Sequence, residues 1–203
     1  MTPQVLSRAL KQLADIDADI AKAISELGKP APRNRPASFE TFFSTIVSQQ
    51  TSTHAAAAIM GRVRKILPRI GPKALLNVDD ELLREAGMSY RKIEYAKGFA
   101  QSIVEKSFNI AKLAKLDNDE VTHRIIELKG FGRWSAEIFL MFSLDRRDVF
   151  PADDLALRVA LAKLKNLPEK PTAKQARELT KHWAPQRTAG ALFLWHYHKG
   201  APA

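Results

Sequence analysis

Four residues, Lys129-Gly130-Phe131-Gly132, do most to limit what this chain can fold into, because they are all that separates two helical patterns. Residues 118–128 place Val121, Ile125, Ile126 and Leu128 at helical spacing, with Asn118 or Asp119 as the expected cap. From Arg133 a second apolar pattern runs through Ala136, Ile138, Phe139, Leu140 and Phe142. So short a connection requires a helical hairpin. Its glycines permit positive φ and leave the start of the second helix open to close approach. Helix starts carry amides with no acceptor inside the helix, and their dipole favours an anion. With Arg133 beside it, this turn can hold a nucleic-acid phosphate without reading sequence. A plain hairpin ended by a glycine cap fits the same residues.

Helical periodicity persists along the whole chain and β alternation does not, so an all-α fold of about ten helices is expected. One helix is predicted over 3–27, ended by Gly28, followed by the proline-rich basic segment Lys29–Pro36, read as a solvated connector. Ser38 caps a helix bearing Phe39, Phe42, Phe43, Ile46 and Val47, which leads into Ser48-Gln49-Gln50-Thr51-Ser52. Helices follow over 53–67, 72–77, 79–86 and 90–107. Beyond Pro151, helices are expected from Asp154 to about Leu164, over 173–183 behind Thr172, and over 186–197. Segment 158–181 is rich in Lys and Arg and reads as a solvated basic face or an extension of a DNA track.

Leu128-Lys129-Gly130-Phe131-Gly132-Arg133-Trp134-Ser135-Ala136, followed by Phe150-Pro151-Ala152-Asp153-Asp154, resembles the helix-hairpin-helix (HhH-GPD) DNA glycosylases. Within that superfamily the DNA-3-methyladenine glycosylase II type is the most similar branch, over roughly residues 38 to 198. The resemblance implies a single domain with two helical lobes flanking an active-site cleft. Residues 1–37 would be an N-terminal helix and linker, about 38–112 a helical lobe, and about 113–203 the hairpin with the C-terminal helices. It implies excision of alkylated purines from damaged duplex DNA by flipping the nucleotide, as in base excision repair.

Asp154 becomes the catalytic carboxylate, stabilising charge on the sugar and activating water, while Asp153 becomes the helix cap. Taken without the resemblance, both are ordinary caps. Trp134 and Trp195 become pocket walls, since an indole face attracts a cationic base. Ile138 stands where some members place a pocket tyrosine. Trp134 also occupies the position of a lysine that gives bifunctional relatives their strand-nicking step, so monofunctional hydrolysis is implied. Gln50 becomes the plug that fills the flipped nucleotide's gap, with Gln49 beside it. Lys129, Gly130, Phe131, Gly132, Arg133, Ser135 and Arg158 are the implied DNA contacts. Backbone carbonyls of Ile126, Leu128 and Phe131 would hold a structural Na+ or K+. Trp183 is expected in the core.

Composition bears on partners. Lys and Arg exceed Asp and Glu by 32 to 22, a formal charge of +10, which suits a polyanion. The absence of cysteine excludes a cysteine-ligated iron–sulfur cluster, and no cofactor is expected. No membrane-length apolar run is present, so a cytoplasmic, nucleoid-associated monomer is expected, a minimal version of the family. Two rivals are a non-catalytic helix-hairpin-helix DNA-binding module and a helical transcription regulator.

Overall fold

In the computed structural model, residues 1–200 are described; the last three positions of the C-terminal region expected over 113–203 lie outside them. The chain divides into two compact units, one made of Met1–Arg35 with the segment from Glu137 onward, the other of Pro36–Ala136. The hairpin thus groups with the middle of the chain, whereas the sequence reading joined it to the C-terminal helices. Thirteen α-helices and one 3-10 turn, with no strand, make up the described residues.

The helix expected over 3–27 is two helices, α1 (Pro3–Ile16) and α2 (Ala18–Leu27). Asp17 separates them in extended conformation, and its carboxylate accepts from the Ile20 amide to cap α2. The apolar periodicity continues across the break, which is why it does not show in the pattern.

Pro36–Ala136 holds α3 (Phe39–Ser48), α4 (Thr53–Ile66), α5 (Pro72–Asn77), α6 (Asp80–Glu85), α7 (Tyr90–Val104), α8 (Ile110–Leu113) and α9 (Asn118–Ile126). Side-chain caps fix most of these starts: Ser38, Ser52, Asp79, Ser89, Asn109 and Asp117. The cap of α9 is Asp117, not Asn118 or Asp119, because Glu120 reaches back to the Asp117 amide and closes a capping box. The core is aromatic. Phe39 stacks on Phe99 with ring centres 5.1 Å apart, and Phe42 and Phe108 pack around that pair.

Helix α10 (Arg133–Phe142) starts in this unit and continues into the other, which also holds α11 (Leu155–Leu164), α12 (Ala173–Leu179) and α13 (Arg187–Gly200). The helix expected over 173–183 is α12 followed by a separate 3-10 turn, Lys181–Trp183. Trp183 is fully buried. A Cβ at Gly190 would strike its indole, so α13 approaches to backbone contact.

Asp17 ties these pieces together. Its buried carboxylate accepts from Lys165 Nζ at 2.7 Å, Trp183 Nε1 at 2.7 Å and His182 Nε2 at 3.1 Å. His182 remains exposed while making this contact. Burial alone would raise the Asp17 carboxyl, but these donors and the Ile20 amide outweigh it and hold the value at about 2. The resulting stabilisation is complete above the unfolded value of about 3.9 and is lost as pH falls towards 2. Asp17→Asn would leave Lys165 with Asp19, at 2.8 Å, as its remaining carboxylate and should cost about 2 kcal/mol. Urea unfolding of the two proteins at pH 7 and pH 3 checks this, and the variant should show the shallower loss of stability on acidification.

Candidate active site

Gly130 has φ 91°, and a Cβ there would collide with the Tyr95 ring. Gly132 differs: its φ is not positive and a Cβ would meet open space. One glycine is therefore demanded by the turn and its packing. The other has no steric need within the unit, and its bareness exposes the backbone at the start of α10. Phe131 points inward, its ring 5.5 Å from Phe42 and 5.7 Å from Phe99, so only its backbone is offered to a partner. Arg133 and Lys129 are exposed, and Lys129 is paired at 2.5 Å with Glu94, whose hydrogen bond raises its ammonium. Ser135, an expected DNA contact, is 5% exposed because its place on α10 puts it on the same face as the buried Phe139.

The glutamine turn is tied to the same hairpin. Gln49 Nε2 donates to the Gly130 carbonyl at 2.7 Å, while Gln50 is exposed with φ 51°, a region that non-glycine residues seldom occupy. Lys92 Nζ braces the turn by donating to Val47 O and Thr51 Oγ1, both at 2.7 Å, and burial lowers its ammonium. In the sequence, Lys92 reads as a solvated charge or a DNA contact behind the Ser89 cap, and its bonds to a turn 41 and 45 residues earlier leave no local signal.

In the other unit, Asp154 sits half-buried at the start of α11. Its Oδ1 accepts from the Leu157 amide at 3.0 Å and from Trp195 Nε1 at 3.3 Å. The expected division of labour between the two aspartates is corrected here: Asp154 is the cap. Asp153 is exposed and accepts from Arg177 Nη2 at 3.0 Å, and Arg177 also pairs at 3.5 Å with the buried Glu137. The turn before Asp154 is locked to α13. Arg187 grips Asp148 at 2.6 and 2.7 Å, and Thr188 Oγ1 accepts from the Val149 amide and donates to the Arg146 carbonyl. Trp195 lies two turns further along α13, so these bonds set the register of indole and carboxylate.

Phe142 lies 5.9 Å from Trp195, ring centre to ring centre. Ile138, expected in the pocket, is buried at 6% exposure. Trp134 is half-buried in the first turn of α10, within the other unit. Segment Lys29–Pro36 is more than a solvated connector. The Arg35 amide donates to Phe142 O at 2.9 Å and Asn34 Nδ2 to Met1 O at 3.1 Å. The basic run 158–181 is partly committed as well: Lys165 to Asp17, Arg177 to Asp153, and Arg158 Nη1 to the Pro171 carbonyl at 3.4 Å.

The carbonyls expected to hold a monovalent cation, those of Ile126, Leu128 and Phe131, lie at and beside the glycine turn. Leu128 O accepts from the Phe131 amide at 3.0 Å within the turn. Neutral carbonyl oxygens of this kind suit Na+ or K+. No cluster of His, Cys, Asp or Glu fit for a metal occurs among the described residues.

A carboxylate at a helix start and a glycine hairpin with an exposed Arg at its second helix define a class of all-helical DNA repair protein. The chain belongs to the HhH-GPD superfamily of base excision DNA repair proteins, which it matches over residues 43–186. It is 32% identical to DNA-3-methyladenine glycosylase 1 of Schizosaccharomyces pombe over 96% of this chain and 88% of that protein. Among solved structures it is similar to the S. pombe 3-methyladenine DNA glycosylase in complex with abasic DNA, with TM-score 0.85 and 32% identity over 96% of this chain and 98% of that one. It is also similar to the DNA-3-methyladenine glycosidase of Bacillus halodurans, with TM-score 0.80 and 32% identity over 95% and 89% of the two chains. Among the described residues no helix is long and apolar enough to cross a membrane.

The two glycines separate stability from binding. Gly130→Ala should lower stability by about 2 kcal/mol or more through strain and the Tyr95 collision. Gly132→Ala should melt like the wild type yet bind duplex DNA several-fold more weakly. Calorimetry alongside fluorescence-anisotropy titration with a labelled duplex checks both.

Proposed function

We propose that this protein is a monofunctional DNA glycosylase that hydrolyses the N-glycosidic bond of alkylated purines, 3-methyladenine-like lesions among them, in duplex DNA. The observation that carries this reading is Asp154, held in one orientation by the Leu157 amide and the Trp195 indole. In the reaction the C1′–N bond breaks and the base leaves with the bonding electrons, so positive charge develops on the deoxyribose. An oriented carboxylate stabilises that charge, and it accepts a proton from the water whose oxygen forms the new bond to C1′. Because the carboxylate is already fixed by two donors, little reorganisation accompanies the rise of charge. The products are the free base and an abasic site.

Other residues take supporting parts. Trp195, and Trp134 on α10, offer indole faces on which a cationic base can stack. Gly132 and Arg133 receive a phosphate at the start of α10, which anchors the strand without reading its sequence. Gln50 fills the space left by the extruded nucleotide, and Gln49 and Lys92 hold its turn in shape. A Na+ or K+ on the carbonyls of Ile126, Leu128 and Phe131 would supply positive charge for a DNA phosphate. We read the protein as acting alone, without a partner subunit. Trp134 has no amine to attack the sugar, which supports hydrolysis without strand cleavage.

A non-catalytic DNA-binding module is the second reading, favoured by one observation: Asp154 already serves as the cap of α11. The deciding experiment is single-turnover incubation with duplexes that carry one 3-methyladenine or 7-methylguanine. The expected outcome is abasic sites that break only after alkali, with no adduct trapped by borohydride. Absence of base release from every duplex would leave the module reading, and a borohydride-trapped adduct would refute the monofunctional assignment.

A further inference from the structure

The guanidinium of Arg33 lies over the Trp195 ring, 5.8 Å from its centre. Arg33 comes from the proline-rich segment between α2 and α3, and its neighbours fix it there. The Arg35 amide donates to the carbonyl of Phe142, whose ring packs against the same indole, and Asn34 is bonded to Met1. Trp195 in turn donates to Asp154 Oδ1. A cation on an anchored segment thus lies over the indole that contacts the candidate catalytic carboxylate.

We infer that Arg33 is a specificity-determining residue: its charge on Trp195 disfavours cationic alkylated bases relative to neutral ones in the pocket that Trp195 walls. The inference rests on the proposed reading of Trp195 as a pocket wall. An indole face is attractive to one cation, and a second brought to the same ring meets a site already neutralised as well as direct repulsion. A neutral purine meets neither penalty. If a base must displace Arg33 from the ring, that step is common to both kinds of substrate and cancels in their ratio. The positive charge gained by the sugar, and the unit of charge that the leaving base loses with the bonding electrons, are likewise common to both. The ratio of cationic to neutral lesion release therefore isolates the base's own charge. Arg33 is exposed, so solvent screens the repulsion, and the effect should be roughly three- to tenfold.

The test compares the full chain with Arg33→Gln, Arg33→Met and Arg33→Lys on duplexes containing one 7-methylguanine, which is cationic, or one hypoxanthine, which is neutral. Single-turnover release is followed at fixed salt with the enzyme below saturation, so that the rate includes entry of the base into the pocket, and each variant's melting temperature is recorded. The two neutral variants should raise the ratio of 7-methylguanine to hypoxanthine release by that factor, and the lysine variant should leave it at the wild-type value. The inference is overturned if neither neutral variant raises the ratio, as when hypoxanthine gains equally, or if lysine behaves like glutamine. Loss of all release in the wild type defeats the proposed function and this inference with it. Wild-type release left unmoved by the substitutions defeats the inference alone.

Discussion

Everything proposed for this protein depends on the pair of hydrogen bonds that fix Asp154, one from the Leu157 amide at 3.0 Å and one from Trp195 Nε1 at 3.3 Å. The first belongs to the local chain, since any aspartate at that helix start would accept it. The second depends on tertiary structure and requires α13 to present its indole at the start of α11. Arg187 on Asp148 and Thr188 on the Arg146–Val149 strand of backbone secure that presentation. Asp17 supports the same unit from below, joining the α1–α2 corner to the end of α11 and to Trp183. A carboxylate that must meet developing charge without reorganising is thus mounted on the most heavily cross-tied part of its unit.

The hairpin is mounted with equal care in the other unit. Phe131 inserts into the Phe42–Phe99 cluster, Tyr95 occupies the space a side chain at Gly130 would need, and Gln49 bonds the Gly130 carbonyl. These contacts restrain the turn while leaving Gly132 and Arg133 at the surface. Grip on a phosphate then rests on backbone geometry and charge, which suits a protein that must accept many sequences around a lesion.

Much of this was legible in the sequence, and for a physical reason: helices, caps and a four-residue turn are local. The starts of α3 and α12 follow from Ser38 and Thr172, and the hairpin from its glycines. What was not legible depended on contacts between distant residues. The 3–27 pattern conceals the break at Asp17 because its apolar spacing continues across it. Only the backbone angles separate the roles of Gly130 and Gly132. Asp153 and Asp154 are chemically alike, and the cap goes to the one whose carboxylate meets the Leu157 amide. Arg33 lay in a segment whose composition suggested solvent. The burial of Ser135 is itself legible, since it shares a helical face with Phe139 and Phe142.

Asp154→Asn is the most direct test of the central claim. Asparagine caps a helix about as well as aspartate, so the fold and the hairpin should be preserved while the negative charge is lost. Under single-turnover conditions on 7-methylguanine duplexes, base release should slow by about a hundredfold or more, with DNA affinity within about twofold of the wild type. Release at a rate close to the wild type, with affinity equally unchanged, would contradict the account, because the charge would then have no part in breaking the bond.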